Sequence, residues 1–207
     1  MSWSKHEGLL DHLENLNLEV ILPTRDIRIA LQTIIQHDGS TYYGGKLISG
    51  NLEVGQTLLC GHDKKELSLN RLYIGDKSVM RASAGASITF TLQEEIRLEL
   101  GDILYSGGMP SFSTHYSAYL YWINEPLFHE AREYIITKNS KQTRAKITLK
   151  QCPKEHHFIQ AHLCAQTLLD FDPFMENSGN GRFIVVDPET GSTMAAGIIE
   201  KALTESA

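Results

Sequence analysis

Cysteine is scarce in this chain: Cys60, Cys152 and Cys164 are the only ones in 207 residues, and none are spaced as Cys-x-x-Cys. An odd, scattered set does not make a disulfide framework and fits a reducing cytoplasm, where the protein is expected to reside. No apolar run reaches the roughly 18 residues that a membrane-spanning helix needs, and the N-terminus lacks the apolar core of a signal peptide. Basic excess is missing too. Nineteen Lys and Arg face 25 Asp and Glu, a net charge of −6, which argues against nucleic acid as the main partner because phosphates demand a basic surface.

Nucleotide-binding motifs are also absent. A phosphate loop needs Gly-x4-Gly-Lys-Ser/Thr between a strand and a helix, so that backbone amides face the phosphates. The nearest approach is Ser40 to Leu47, with Ser40 in place of the first Gly and Leu47 in place of the magnesium-holding hydroxyl. Its surroundings are those of a hairpin strand. Neither Asp-x-x-Gly nor Asn-Lys-x-Asp occurs anywhere in the chain.

Helical periodicity is confined to the beginning. Leu9, Leu10, Leu13 and Leu16 share one helical face, opposite Asp11, His12 and Glu14. Beyond Pro23 the period falls to two. Ile27, Ile29 and Leu31 alternate with Arg28, Ala30 and Gln32, the pattern of a half-buried strand, and Asp38-Gly39 marks a tight hairpin. Strand-like runs follow at 41–49, 56–60, 67–73, 88–92 and 103–105, separated by Gly-bearing turns. A small, uncharged stretch, Gly107-Gly108-Met109-Pro110-Ser111, marks a boundary. After it Tyr116, Ala118, Leu120 and Trp122 fall on one strand face, and further strands are expected at 133–137, 143–150, 158–167 and 182–186, with a hairpin tip at Asn139-Ser140-Lys141. Short strands at this spacing predict two all-β antiparallel domains, barrels or sandwiches, in series behind one short helix.

Several motifs then carry a resemblance. Gly44-Gly45-Lys46-Leu47-Ile48-Ser49-Gly50-Asn51-Leu52-Glu53-Val54-Gly55-Gln56, Ala84 to Ile88 and Leu100 to Leu104 resemble landmarks of the first β-barrel of translation-factor-type GTPases. In these runs Gly50, Gly55, Gly85 and Gly101 stand where turns call for positive φ or close backbone approach. Met1-Ser2-Trp3 with Gly8 to Glu14, Leu92-Gln93-Glu94-Glu95-Ile96, and Asn177 to Asp187 followed by Thr193 to Ile199 are similar to the large, GTPase-type subunit of bacterial sulfate adenylyltransferase. Ser4, Lys5 and Ala195-Ala196 depart from that pattern.

The resemblance implies an all-β fold of two consecutive antiparallel β-barrels, like the second and third domains of elongation factor Tu, preceded by one short α-helix. Residues 1–19 would close an absent GTPase domain, 20–107 would form the first barrel and 111–202 the second. It further implies a parent enzyme in which GTP and magnesium bind that absent domain, and a small catalytic subunit makes adenosine 5′-phosphosulfate from ATP and sulfate. This chain would dock that subunit and couple it to the GTPase domain. It carries no catalytic, cofactor-binding or metal residue on this reading. A translation-factor-like RNA-binding fragment and a stand-alone adaptor are the alternatives.

Three clusters invite other chemistry. Cys152, His156, His157, His162 and Cys164 are zinc-type ligands without the spacing of a common finger. The bland alternative is exposed histidines with a small apolar Cys inside the barrel. Glu94-Glu95 could act as paired carboxylates but reads better as a solvated turn. Lys138, Lys141, Arg144 and Lys146 could meet an anionic partner, or could simply be solvated charges on a hairpin.

Overall fold

The computed structural model describes residues 26–123, 128–150 and 158–203, and all of their regular structure is β-strand. The helix expected within residues 1–19 lies outside the described residues. The first sheet is built from β1 (Ile27–His37), β2 (Ser40–Ser49), β4 (Thr57–Cys60), β5 (Lys65–Ile74), β8 (Ser87–Leu92) and β9 (Ile103–Ser106). It runs in the order β4-β9-β1-β2-β8-β5 and closes on itself through β4–β5 pairing. Closure removes the open edges that would otherwise template aggregation. The remaining strands, β3 (Asn51–Glu53), β6 (Lys77–Val79) and β7 (Arg81–Ser83), add to those expected from the residue pattern. Each has three residues, too few to establish a period; β3 pairs with β7, and β6 extends β5.

The β1–β2 hairpin turns on Asp38-Gly39, with φ of 47° and 72°. Two positive φ values give the mirror-image turn whose twist matches that of the flanking strands. Gly50, Gly55, Gly85 and Gly101 also have positive φ, as their turn positions require. Inside the ring, Ile29, Leu31, Leu47, Leu58, Leu67, Leu69, Leu72, Phe90 and Leu104 are fully enclosed. Contrary to the half-buried pattern expected of β1, Arg28 and Ala30 are buried rather than solvent-facing. The second barrel covers the outer face of that strand.

That barrel comprises β10 (Ser111–Trp122), β11 (Glu133–Lys138), β12 (Lys141–Leu149), β13 (Phe158–Phe171), β14 (Arg182–Val186) and β15 (Thr193–Ala202), closed in the order β10-β13-β12-β11-β14-β15. Tyr116, Ala118, Leu120 and Trp122 all point inward, as their alternation predicts. Tyr116 packs edge-on to Phe183 and tilted against Phe171, while Phe128 and Tyr134 stack beneath Trp122. Gly197 lies so close to the Phe183 ring that a Cβ would come within 2.6 Å of its edge. The turn between β11 and β12 is Asn139-Ser140 alone, since Lys141 already pairs with Lys138.

β13 runs four residues past its expected end. The register shifts there: Ser113 pairs with Leu169 but His115 with Cys164, so the extra residues lie on β13, where residues 165–168 stand opposite Thr114 alone. Opposite it on β10, the Ser113 hydroxyl donates to the His115 carbonyl at 2.7 Å and accepts from its N–H at 3.0 Å.

The Tyr116 hydroxyl is enclosed with no hydrogen-bond partner among the described residues, and burial pushes its pKa up. An unsatisfied buried hydroxyl costs about 1–3 kcal/mol. Tyr116→Phe is therefore expected to raise the melting temperature by roughly 2–12 °C, since it keeps the ring and removes the orphan group. A calorimetric melt of the two proteins checks this, and a lower Tm would mean the hydroxyl has a partner.

Candidate functional site

A buried network of polar side chains lies at the seam between the barrels. It forms because β1 begins against the loop that follows β13. Arg28, 3% exposed, donates through Nε and Nη2 to both carboxylate oxygens of Asp172, at 2.9 and 2.8 Å. This forked geometry is the strongest that a guanidinium and a carboxylate can adopt. The third nitrogen donates to the Ile27 carbonyl at 2.9 Å, and the guanidinium carbon lies 5.8 Å from the Tyr105 ring centroid. Asn180 adds an amide donor to Asp172 at 2.8 Å. Its own carbonyl accepts from Lys138 Nζ at 2.6 Å, and Lys138 also reaches Asp170 at 3.1 Å.

A second thread crosses nearby. Asn177 Nδ2 donates to Ser49 Oγ at 3.0 Å, and Ser49 donates to the Asp26 carbonyl at 2.8 Å. The Asn177 carbonyl oxygen accepts the Gly179 and Asn180 backbone amides, which shapes the loop carrying Asn180. Ala30, Ile103 and Tyr105 form an apolar patch on the outside of the first barrel, with Ile48, Leu59 and Phe112 packed against it. Gly101 meets the backbone of Lys141 directly. Burial lowers the Lys138 pKa, and the Asp170 carboxylate opposes that shift. This arrangement joins the two barrels through hydrogen bonds and a buried ion pair. Its chemistry is mechanical: it fixes one barrel against the other.

No local motif marks the seam residues as a site. The Arg28–Asp172 pair spans 144 positions, so no spacing along the chain reveals it. The available signal is a charged residue set in an apolar strand, with a loop rich in Asp, Asn and Gly at 170–181 to receive it.

The clusters that the sequence does single out are dispersed. Lys138 is buried in the seam, which corrects its reading as a solvated hairpin charge, whereas Arg144 and Lys146 are exposed on β12. Glu94 and Glu95 lie in an exposed turn. Glu94 accepts the Ser68 backbone amide at 2.7 Å, and that bond lowers its pKa. Cys152, His156 and His157 lie outside the described residues. His162 and Cys164 share the outer face of β13, so Cys164 is exposed rather than inside the barrel. Among the described residues no group of three or more ligand-type side chains is placed to hold a metal.

Two further carboxylates are held below their ordinary range by hydrogen bonds: Asp187 by the Thr190 amide, and Glu200 by the Ser117 hydroxyl at 2.7 Å. Asp187 also pairs with Arg132 at 2.9 Å. A depressed carboxylate adds stability that is complete above its unfolded pKa and lost as pH falls through its folded value. The chain should hold its stability down to about pH 4 and lose it progressively below. Asp187→Asn should flatten that acid limb in urea titrations across pH; an unchanged limb would remove Asp187 from it.

The chain is similar in sequence to known proteins over most or all of its length. It is 27% identical to sulfate adenylyltransferase subunit 1 of Aeromonas salmonicida (strain A449), over 100% of this chain and 47% of that protein. With the Colwellia psychrerythraea protein of the same name it is 29% identical, over 80% of this chain and 39% of that protein. The chain is similar to sulfate adenylyltransferase subunit 1 along its whole length. The bifunctional enzyme NodQ of Rhizobium sp. (strain N33) is 26% identical over 98% of this chain and 34% of its own length. The chain thus spans less than half the length of these subunit 1 and NodQ relatives. No protein-family model matches it.

Among solved structures, sup35 complexed with GDP superposes with a TM-score of 0.77 at 17% identity, covering 98% of this chain and 54% of that one. The likeness shows the fold: the two-barrel arrangement of the translation-factor GTPases. Residues 40–47 do not fit a nucleotide phosphate. They form β2, where Gly44 packs on the Thr33 side chain and Gly45 on the Ala30 carbonyl, and Lys46 donates to the Gly85 carbonyl. No helix among the described residues is long and apolar enough to cross a membrane.

Proposed function

We propose that this chain is the two-barrel portion of a sulfate-activating GTPase subunit, and that it docks a small catalytic subunit and couples it to a GTPase domain. The parent complex would make adenosine 5′-phosphosulfate and pyrophosphate from ATP and sulfate, with GTP hydrolysis driving an unfavourable activation. GTP and magnesium would bind the GTPase domain, and the barrels would supply no catalytic group. The observation that carries this reading is the end-to-end likeness to subunit 1. The seam supports it physically: two barrels locked through a buried ion pair move as one lever, and rigid-body rotation is how such assemblies pass a nucleotide state onward. An RNA-binding role is disfavoured, because Lys138 faces inward and the remaining hairpin cations sit on an acidic protein.

Calorimetric titration of the purified small subunit of sulfate adenylyltransferase into this chain tests the proposal. One-to-one binding at micromolar affinity or tighter is the expected result. Absence of binding would overturn the docking role.

A further inference from the structure

The outer face of the second barrel is not uniform. On β12 the outward residues Arg144, Lys146 and Thr148 are exposed and polar, as a water-facing sheet should be. Across β10, β15 and β14 the outward rows are different. In one row Tyr119 pairs with Ile198, which pairs with Arg182. In the next, Tyr121 pairs with Ala196, which pairs with Ile184. Phe158 of β13 extends the second row, its ring centroid 5.2 Å from that of Tyr121.

The small residues of β15 sit low between taller neighbours, so the two rows enclose a groove of about 610 Å³. Phe158 is 67% exposed, Ile184 38% and Tyr119 37%. Isolated exposed apolar residues are ordinary, but a contiguous run of them marks an interaction surface. Arg182 is the one ionisable cation lining the groove, and among the described residues it has no carboxylate partner.

This charge pattern selects the occupant. A nucleic acid or an anionic lipid surface offers many phosphates and would call for several cations. One guanidinium beside an aromatic and aliphatic floor instead matches one carboxylate next to one buried apolar side chain. We propose that this face of the second barrel seats a segment of the partner subunit that presents an apolar side chain beside a carboxylate. The apolar group would fill the space above Ala196 and Gly197, and the carboxylate would pair with Arg182. Apolar anchors and Arg are the groups that carry most binding energy at protein interfaces. The inference rests on the docking role proposed above and assigns that role a surface.

The test repeats the small-subunit titration with Ile184→Glu, Arg182→Glu and, on the polar face, Arg144→Glu. All three positions are exposed, and thermal melts confirm that each variant folds. The expected result is at least tenfold weaker binding for Ile184→Glu and Arg182→Glu, with Arg144→Glu unchanged. Binding by the unaltered chain with no loss in either groove variant would overturn the groove assignment and leave the docking role elsewhere on the barrels. Failure of the unaltered chain to bind would sink the docking role, and the groove assignment with it. Sedimentation of the chain alone adds a third arm: a dimer dispersed by Ile184→Glu would give the face to a second copy and overturn the proposal.

Discussion

Arg28→Met is expected to lower the unfolding free energy by about 3–5 kcal/mol, a large fraction of the roughly 5–15 kcal/mol that a folded chain commands. The substitution keeps the aliphatic stem and removes the guanidinium. Asp172, whose side chain is 10% exposed, then retains a buried charge, with the Asn180 amide as its hydrogen-bond donor and the Lys138 charge nearby. The Ile27 carbonyl loses its donor as well. Breaking one half of a buried pair costs more than the pair contributes, because the surviving charge has no water to return to. The double variant Arg28→Met/Asp172→Leu should therefore recover most of the loss. Urea denaturation of the four proteins in the cycle measures this. A loss under about 1 kcal/mol in the single variant would mean that the pair is solvated and does not hold the barrels together.

Gly101→Ala should cost about 2–5 kcal/mol, from two sources that can be separated. Gly101 has φ of +87°, where an L side chain is strained by about 1–2 kcal/mol. Its Cβ would also lie 2.6 Å from Lys141 N and 2.9 Å from Lys141 Cα. Those are backbone atoms at the start of β12 and cannot swing aside as a side-chain tip could. Overpacking of that kind adds about 1–3 kcal/mol. Gly85 provides the comparison, with φ of +92° and nothing within 4 Å of its Cβ. Gly85→Ala should show the conformational cost alone, and the difference between the two variants reports the contact between barrels. Equal losses would show that the seam yields at this point.

Much of the fold is legible in the residues because a strand of five or more residues with one buried face declares its period. β12 and β14 alternate cleanly, and the inward residues of β1 and β10 recur at every second position, so the period names many of the side chains that fill the two rings. The three-residue strands β3, β6 and β7 escape such a reading, since a period of two needs more repeats. Arg28 and Lys138 mislead it for a common reason. Both are charged, and a local pattern assigns charged residues to water. Both are drawn inside by carboxylates that the chain delivers from elsewhere, Asp172 and Asp170.

By itself the sequence determined the class of fold, the positive-φ turns, the absence of a phosphate loop and the family resemblance, because each rests on local pattern or on motifs of neighbouring residues. The tertiary structure alone decided how the barrels meet, which charges are buried and which barrel face is left apolar. The groove illustrates this most plainly. Tyr119, Arg182, Ile184 and Ile198 are ordinary residues in their own strands, and only register across β10, β15 and β14 sets them side by side. Register is a property of pairing between distant segments, set by ring closure and by bulges such as the one in β13 opposite Thr114, and no single segment contains it.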